Sequence, residues 1–209
     1  MEYFELSPET ANPKAKALLV DDFYWSTIEE SGPFGSDDGS DAFYGFREWR
    51  LTNEQSSPLL YLQELFESWG YPYFDVNEMN VAKIEEYISP KSQLDSFNFE
   101  MPVFTEEFKK LAKATGMELN EEKLKEIASA SSHQMGDRYL VGLDDAIIAV
   151  GFGQFVLEGK IDEDIKTLTQ TAIKRELLPI LVERYDEEYK DIRKEQLNKM
   201  LAVVDKMNA

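Results

Sequence analysis

The chain of 209 residues contains no cysteine and only one histidine, His133. Without cysteine it can form no disulfide bond, thiolate nucleophile or cysteine-based zinc site. A single histidine also removes the zinc sites that need two, unless carboxylates supply the other ligands. These absences exclude most familiar catalysts, and we expect no cofactor. Catalysis by carboxylates alone is the chemistry that stays open.

No catalytic motif accompanies the histidine or the glycines. His133 follows Ser131 and Ser132 in SASSHQMGD, but neighbours in sequence do not make a triad, and no nucleophile-elbow pattern is present. The segment GFGQFVLEG holds Gly-x-Gly inside an apolar stretch with no preceding strand, which does not fit a phosphate-binding loop. We therefore interpret His133 as a surface residue and expect a non-enzymatic protein.

Long apolar runs are also missing. No run approaches the roughly 20 residues that span a bilayer. The segment MEYFELSPET has neither the basic region nor the apolar core of a secretory signal. These absences predict a cytoplasmic protein that does not bind membranes.

Basic residues are scarce relative to acidic ones. The chain has 22 Lys and Arg against 41 Asp and Glu, a net charge of −19. Residues 1–100 hold 20 acidic and 6 basic residues, so −14 of that charge lies in the N-terminal half. Such a field repels nucleic acid and anionic membranes and attracts cationic partners. A basic protein partner fits this charge, and solubility alone is the alternative explanation.

Helical periodicity dominates the chain, and no strand alternation of any length appears. Asn12–Pro13 and Ser57–Pro58 are pairs typical of helix starts, and Gly70 stands where a helix ends. We predict an all-α fold, a single helical domain over residues 1–209 with about eight helices. The irregular stretch 89–105, which carries two prolines, is a candidate subdomain boundary.

The second half contains the most apolar segment. LDDAIIAVGFGQFVLEG is apolar on nearly every face and predicts a central buried helix. Gly151 and Gly153 within it favour close approach of a neighbouring helix, with a helix break as the alternative. The preceding SSHQMGDRYLVG, residues 131–142, is predicted to be a loop. From Asp162 a long C-terminal helical region follows, and Pro179 should kink or split it.

One segment begins like a calcium-binding EF-hand loop. DVNEMNVAKIEE places Asp75 and Asn77 at the first and third positions. Met79 and Asn80 then stand where an oxygen ligand and a glycine are required, and only Glu86 fits the last position. We therefore interpret the segment as a helix start, with Asn77 as its N-cap.

The most distinctive segment is GPFGSDDGSDAFYGF, residues 32–46. Its glycines suit a tight turn, and Ser36 or Asp37 suits the N-cap of a helix. The alternative is a site for a hard cation at Asp37, Asp38 and Asp41, although such sites usually need six or more oxygens. The predicted helix directs one face into the core: Ala42, Phe43, Phe46, Trp49 and Arg50.

This segment resembles the signature Gly-x-Phe-(Gly/Glu)-(Ser/Asn)-Asp-x-x-x-Asp of small bacterial domain-of-unknown-function proteins, and it is similar to YfeS-type bacterial proteins. In the former, a later segment resembles LDDAIIAVGFGQFVLEGKID. The matching positions are Gly32, Phe34, Asp37 and Asp41, then Asp145 and Ala146. The resemblance covers about a quarter of the chain and implies a bacterial, helical, cytoplasmic protein, without an assigned activity. The chain departs from it by lacking a Trp-Gly start and by adding DDFYWSTIEES.

That added segment, residues 21–31, places aromatic residues between acids. Aromatic anchors ringed by charge make good interfaces, and opposite charge accelerates encounter. We therefore predict a non-enzymatic acidic protein-binding module, such as an immunity or inhibitor protein that neutralises a basic toxin or nuclease. The predicted partner-binding residues are Asp21, Asp22, Tyr24, Trp25, Glu29 and Glu30.

Three other classes remain as alternatives. The first is a carboxylate-based protein or enzyme that binds a divalent cation at Asp37, Asp38 and Asp41. The second is a DNA mimic, whose acids would be spaced like phosphates along one face. The third is a regulatory helical domain without a ligand. The sequence leaves the oligomeric state open.

Overall fold

The computed structural model describes residues 5–89 and 121–208, with side chains from residue 136 onward in the second range. Within these ranges the protein has eight α-helices, one 3₁₀ helix and no strand, which confirms the predicted all-α fold. The elements are α1 (Pro13–Leu18), the 3₁₀ helix η1 (Asp22–Trp25), α2 (Asp37–Arg50), α3 (Pro58–Trp69), α4 (Val81–Ile88), α5 (Glu121–Glu158), α6 (Glu163–Glu176), α7 (Pro179–Val182) and α8 (Glu187–Val204).

The chain divides into two compact units. One unit contains Met1–Met79 and Val141–Ala209, and the other contains Asn80–Leu140. We call the first the main unit, and the sites described below belong to it. The stretch 89–105, where a boundary is predicted, lies outside the described residues except for Ser89, so that boundary stays a prediction.

Polar caps begin the helices of the main unit largely where the sequence places them. Asn12 Oδ1 accepts a hydrogen bond from Lys14 N at 3.0 Å, and Ser57 Oγ accepts one from Leu59 N at 3.2 Å. Each cap satisfies a backbone N–H that has no partner inside the helix. Gly70 ends α3 with a φ of 64°, a left-handed conformation that favours glycine.

The predicted N-cap of α4 is wrong by three residues. Asn80, not Asn77, accepts from Ala82 N at 3.0 Å and begins the helix. Asn77 instead donates its backbone N–H to Asp75 Oδ1 at 3.0 Å. This local turn uses Asn77 before the helix starts, because short polar side chains compete with helical hydrogen bonding.

Helix α5 runs without interruption from Glu121 to Glu158. The predicted loop at residues 131–142 is therefore wrong, and so is the alternative of a break at Gly151 and Gly153. The reason is that the glycines of α5 serve close packing. A Cβ on Gly136 would lie 3.0 Å from the Ile88 carbonyl oxygen, and one on Gly153 would lie 2.7 Å from the Phe43 ring.

Part of α5 passes the length and composition test for a membrane span. Among the described residues, Gly136–Glu158 is a 23-residue stretch that contains an 18-residue window with a mean hydropathy of 1.7. The window includes Asp144 and Asp145, so it is not an uninterrupted apolar run. In addition, 83% of the window is buried inside the protein, which indicates a central core helix.

The core of the main unit surrounds the second half of α5. Ala146, Ile147, Val150 and Phe152 are fully buried there, as predicted for a central helix. Helix α6 ends at Glu176 and α7 begins at Pro179, so the predicted split at this proline is confirmed. The remaining chain forms α8, which packs against α6 and α7.

The packing of Gly151 against α6 yields a stability prediction. A Cβ at position 151 would overlap Thr169 Oγ1, which is buried and has no hydrogen-bond partner among the described residues. We expect Gly151→Ala to lower the free energy of unfolding by about 1–3 kcal/mol, because overpacking outweighs the gain in helix propensity. Urea unfolding measures the change.

A second substitution separates crowding from any other effect of alanine. Thr169→Ala removes the atom that the new methyl group would meet, so the double variant should recover part of the lost stability. Equal stability of the double and the single variant would show that Thr169 is not the obstacle.

Candidate functional site

Residues 20–31, here called the acidic segment, cross the surface of the main unit between α1 and α2. The one-turn helix η1 lies inside it and turns Phe23 and Tyr24 into the core. Their rings pack together at 4.0 Å between centroids, and Tyr24 stacks on Phe152 of α5 at 5.7 Å. Aromatic burial of this size anchors a segment that has little regular structure of its own.

The predicted interface role of Tyr24 is contradicted by its burial. Only 1% of Tyr24 is exposed, so its ring is not available to a partner. Trp25 is half-buried, and its Nε1 donates to the Leu19 carbonyl oxygen at 2.9 Å. Both aromatic residues therefore attach the segment to the fold, because a ring set between acids in sequence can still point inward.

The carboxylates of the acidic segment fall into two groups. Asp22 and Glu30 are exposed, whereas Asp21 lies 3.5 Å from Lys199 Nζ of α8. Glu29 is half-buried and its carboxylate accepts a hydrogen bond from the side-chain amide of Gln196. Asp22 and Glu30 thus face solvent, while Asp21 and Glu29 contact side chains of α8.

Two aliphatic residues of the segment are more exposed than any of its aromatic residues. Val20 is 77% exposed and Ile28 is 89% exposed. Neither was predicted from the sequence, because a single aliphatic residue in a mixed segment carries no signal of whether it is buried or exposed. A strongly exposed isoleucine among carboxylates has no role in the core and is the residue type that a partner would cover.

Backbone contacts fix the second half of the acidic segment. Ser26 Oγ accepts from the backbone N–H groups of Ile28 at 3.3 Å and Glu29 at 3.0 Å. Gly32 N donates to the Glu29 carbonyl oxygen at 2.8 Å. A Cβ on Gly35 would overlap the backbone of Glu29, so glycine is required for this close approach. Ile28 is therefore presented by an ordered turn.

The next segment, GPFGSDDGSDAFYGF (residues 32–46), forms a turn and the start of α2. Ser36 Oγ accepts from Gly39 N at 3.1 Å and caps α2, so Ser36 is the N-cap of the two predicted candidates, Ser36 and Asp37. Gly32 and Phe34 are buried, and Phe34 packs on Phe43 at 4.6 Å between ring centroids. The glycine turn and the aromatic face of GPFGSDDGSDAFYGF thus serve the fold.

The three aspartates of this segment have separate surroundings. Asp37 and Asp41 are exposed, and Asp38 Oδ1 accepts from the Tyr71 hydroxyl at 3.3 Å. Among the described residues, no three His, Cys, Asp or Glu side chains lie close enough together to hold a metal ion. The geometry therefore adds no support to the cation hypothesis.

Beneath the acidic segment lies a group of five charged side chains, here called the buried ionic cluster. None of the five is more than 8% exposed. Charges removed from water in this way require close partners, because isolated burial is very costly. The members are Asp144 and Asp145 of α5, Arg175 and Glu176 of α6, and Arg193 of α8.

Arg175 forms the first half of the cluster. Its Nε donates to Asp144 Oδ2 at 3.0 Å, and its Nη2 donates to Asp144 Oδ1. Its Nη1 donates to the backbone carbonyl oxygens of Val76 at 2.8 Å and Glu78 at 3.0 Å. The bidentate pair is the strongest geometry available to a carboxylate and a guanidinium.

Arg193 forms the second half and reaches the acidic segment. Its Nη2 donates to Asp145 Oδ1 at 2.9 Å and to Glu176 Oε2 at 2.5 Å, and its Nε also donates to Glu176 Oε2 at 3.0 Å. Its Nη1 donates to the Ser31 carbonyl oxygen at 2.9 Å. One guanidinium therefore joins α5, α6, α8 and the end of the acidic segment.

Burial dominates the protonation of the cluster. It raises the pKa of Asp144 to about 6 and that of Asp145 to about 7, although Arg175 and Arg193 act in the opposite direction. Burial also raises the pKa of Glu176. Burial disfavours the charged form of Arg193 too, but Glu176 and Asp145 together hold its pKa above the usual range.

The two segments that carry the family resemblance meet at this cluster. Ser36 of the first lies close enough to Asp145 of the second to lower the pKa of that carboxyl group. A Cβ on Gly39 would lie 3.7 Å from Ala149 Cβ, so α2 and α5 are closely packed there. Contact between them gives both segments a structural use.

A separate groove of about 480 Å³ lies beside the C-terminal end of α2. Three cations line it, Arg47, Arg50 and Lys160. Arg50 Nε donates to Glu158 Oε1 at 2.5 Å, and Arg50 Nη2 donates to Glu158 Oε2 at 3.2 Å. Nη1 of Arg50 donates to the carbonyl oxygens of Asn53 and Ser56. Arg50 therefore joins α2 to α5, and its donors already have partners within the fold. For this reason we consider the groove a weaker candidate for a binding site than the acidic segment.

Comparison with protein-family models, curated proteins and solved structures finds no match to this chain.

The bidentate pair in the cluster generates a prediction about stability. We expect Arg175→Leu to lower the free energy of unfolding by about 3–5 kcal/mol, because it leaves Asp144 buried without its cation. The double variant Arg175→Leu with Asp144→Leu should be more stable than this single variant, since no uncompensated charge remains. Urea unfolding of both variants checks the order, and a double variant less stable than the single would contradict the explanation.

Proposed function

We propose that this protein is a non-enzymatic acidic binding module that captures a basic protein partner through the acidic segment. The observation that carries the proposal is the exposure of Ile28, 89%, within an ordered turn flanked by carboxylates. Val20, 77% exposed, supplies a second apolar residue at the other end of the segment. An apolar anchor surrounded by charge is a typical arrangement of protein–protein hot spots.

The charge of the chain supports a partner of the opposite sign. The N-terminal half carries −14, and Asp22 and Glu30 are exposed beside the two aliphatic residues. Opposite charge accelerates encounter and disfavours acidic competitors. Neutralisation of a basic toxin or nuclease is the role that this chemistry fits best, because a surface that covers a basic site needs no catalytic residue.

The order of the segment is the second support. Residues 26–32 are held by hydrogen bonds to Ser26 Oγ and between Gly32 and Glu29, and η1 is anchored by buried rings. A surface that is ordered before binding loses less conformational entropy when a partner docks. The cation-dependent enzyme and the DNA mimic have no comparable observation behind them among the described residues.

A three-site variant tests the proposal. Asp22→Asn, Ile28→Ser and Glu30→Gln together remove two charges and the apolar anchor without touching a buried residue. We expect a basic protein from the cells that encode this chain to be retained by the wild type and lost by the variant. The retained protein is then purified and its dissociation constant measured with both forms, where we expect at least about a tenfold difference.

A matched control uses the same residue types on α8. Glu188→Gln, Asp191→Asn and Ile192→Ser change two exposed acids and an isoleucine that is 50% exposed. This control should retain the partner with wild-type affinity and with the same sensitivity to salt. Equal loss of binding in both variants would show that only net charge matters. Retention of the partner by both variants would show that the acidic segment is not part of the interface.

A further inference from the structure

We propose that the buried ionic cluster binds one proton within the Glu176–Asp145 pair, and that this proton holds residues 29–31 of the acidic segment in place. The effect of the proton on residues 29–31 rests on the proposed function in its biological meaning, because these residues belong to the proposed binding surface. The proton site itself does not, since it follows from the geometry of the cluster alone.

The first support is the balance of charge. Three carboxyl groups meet two guanidinium groups in the cluster, and none of the five exceeds 8% exposure. With every group ionised, the cluster would hold one buried negative charge that no described cation compensates. A buried carboxyl in that situation takes up a proton instead of staying charged.

The second support is a buried carboxyl oxygen without a hydrogen-bond partner, to which a proton could bind. Glu176 Oε2 accepts from Arg193, but Glu176 Oε1 is buried and has no hydrogen-bond partner among the described residues. Asp145 and Glu176 share Nη2 of Arg193, so their carboxyl groups are neighbours. Two carboxyl groups this close and this buried cannot both ionise at low cost, as in other carboxyl pairs that share a proton.

The third support is the raised pKa of each carboxyl group, which burial causes in all three. The groups that face the Glu176–Asp145 pair act in both directions. Arg193 favours ionisation of the pair, as Arg175 does for Glu176, whereas the neighbouring acids oppose it. The facing charged and titratable groups are Asp144, Arg175, Arg193, Tyr185 and Tyr189, and the Ser36 side chain also favours ionisation of Asp145.

Loss of the proton acts on the acidic segment through Arg193. Once both carboxylates are charged, they repel each other across Nη2 of Arg193, and the excess charge is relieved by admitting water. The helices resist separation because their backbones are internally hydrogen-bonded. Residues 29–31 are not helical. They are held by hydrogen bonds from Arg193 to the Ser31 carbonyl oxygen and from Gln196 to Glu29, so we expect them to loosen first.

The sign of the pH effect follows from these groups. Between about pH 5.5 and about pH 8 the ordinary carboxyl groups of the unfolded chain are ionised, while the folded cluster retains its proton in the lower part of this range. The folded state therefore binds more protons, and stability should fall as pH rises through the titration of the cluster. Above that titration the curve should become level.

The experiment measures the midpoint of thermal unfolding across this range in a His133→Gln background. That background removes the only histidine of the chain, the side-chain type that ordinarily titrates near neutrality. The parent should lose several degrees between about pH 5.5 and about pH 8. Glu176→Gln imitates the protonated acid, because its amide oxygen can still accept from Arg193, so its curve should be nearly level and should lie above the parent at the higher pH.

Two further variants keep the test decisive. Asp145→Asn should also level the curve, which covers the case in which Glu176→Gln fails to fold. Glu158→Gln, which alters a carboxylate paired with Arg50 outside the cluster, should keep the parental slope. A parent without a slope, or a parental slope in both cluster variants, would overturn the proton site.

Amide hydrogen exchange of the peptide that contains residues 29–31 tests the coupling. After correction for the intrinsic rate, exchange in the parent should accelerate about tenfold at the higher pH, and it should change little in Glu176→Gln. Unchanged exchange in the parent, together with a parental stability slope that Glu176→Gln abolishes, would overturn the coupling and leave the proton site. Neither measurement uses a partner, so failure of the proposed function would appear only in the binding experiment.

Discussion

The guanidinium group of Arg193 is the interaction on which the rest of the main unit depends. It is 2% exposed and donates to carboxyl groups on α5 and α6 and to the Ser31 carbonyl oxygen. Removing such a charge from water costs several kcal/mol, and only a complete set of partners offsets it. The helices and the acidic segment therefore have to come together in one arrangement to satisfy this single side chain.

Much of the fold could be predicted because local signals decide it. The N-caps Asn12 and Ser57 appear as expected, Ser36 is one of the two predicted caps of α2, and the chain splits at Pro179; each of these signals acts on the few residues next to it. Residues 131–142 could not be predicted in the same way. Their serines and glycines resemble a loop, but helical continuity there depends on close packing of glycines against distant residues, which local composition does not record.

The sequence could mark residues 21–31 as a distinctive acidic stretch, but it could not predict the directions of the side chains there. Composition identified the acidic segment, yet it could not say which side chains point inward, so Tyr24 was assigned to the surface and Ile28 was overlooked. A signal for the buried ionic cluster does exist. Arg175 follows Leu168 by seven residues on α6, and Arg193 precedes Leu197 by four on α8, so charged residues occupy apolar positions of the helical period. Charges at such positions indicate buried pairs.

The same cluster explains how a short irregular segment can present an exposed isoleucine. Apolar packing alone is non-directional and would tolerate sliding of residues 26–31 over the core. Hydrogen bonds from Arg193 to Ser31 and from Gln196 to Glu29 are directional, and they fix the end of the segment relative to α8. We infer that the costly burial of charge is retained for this positional order. The buried ionic cluster in the core thus determines the geometry of the acidic segment at the surface.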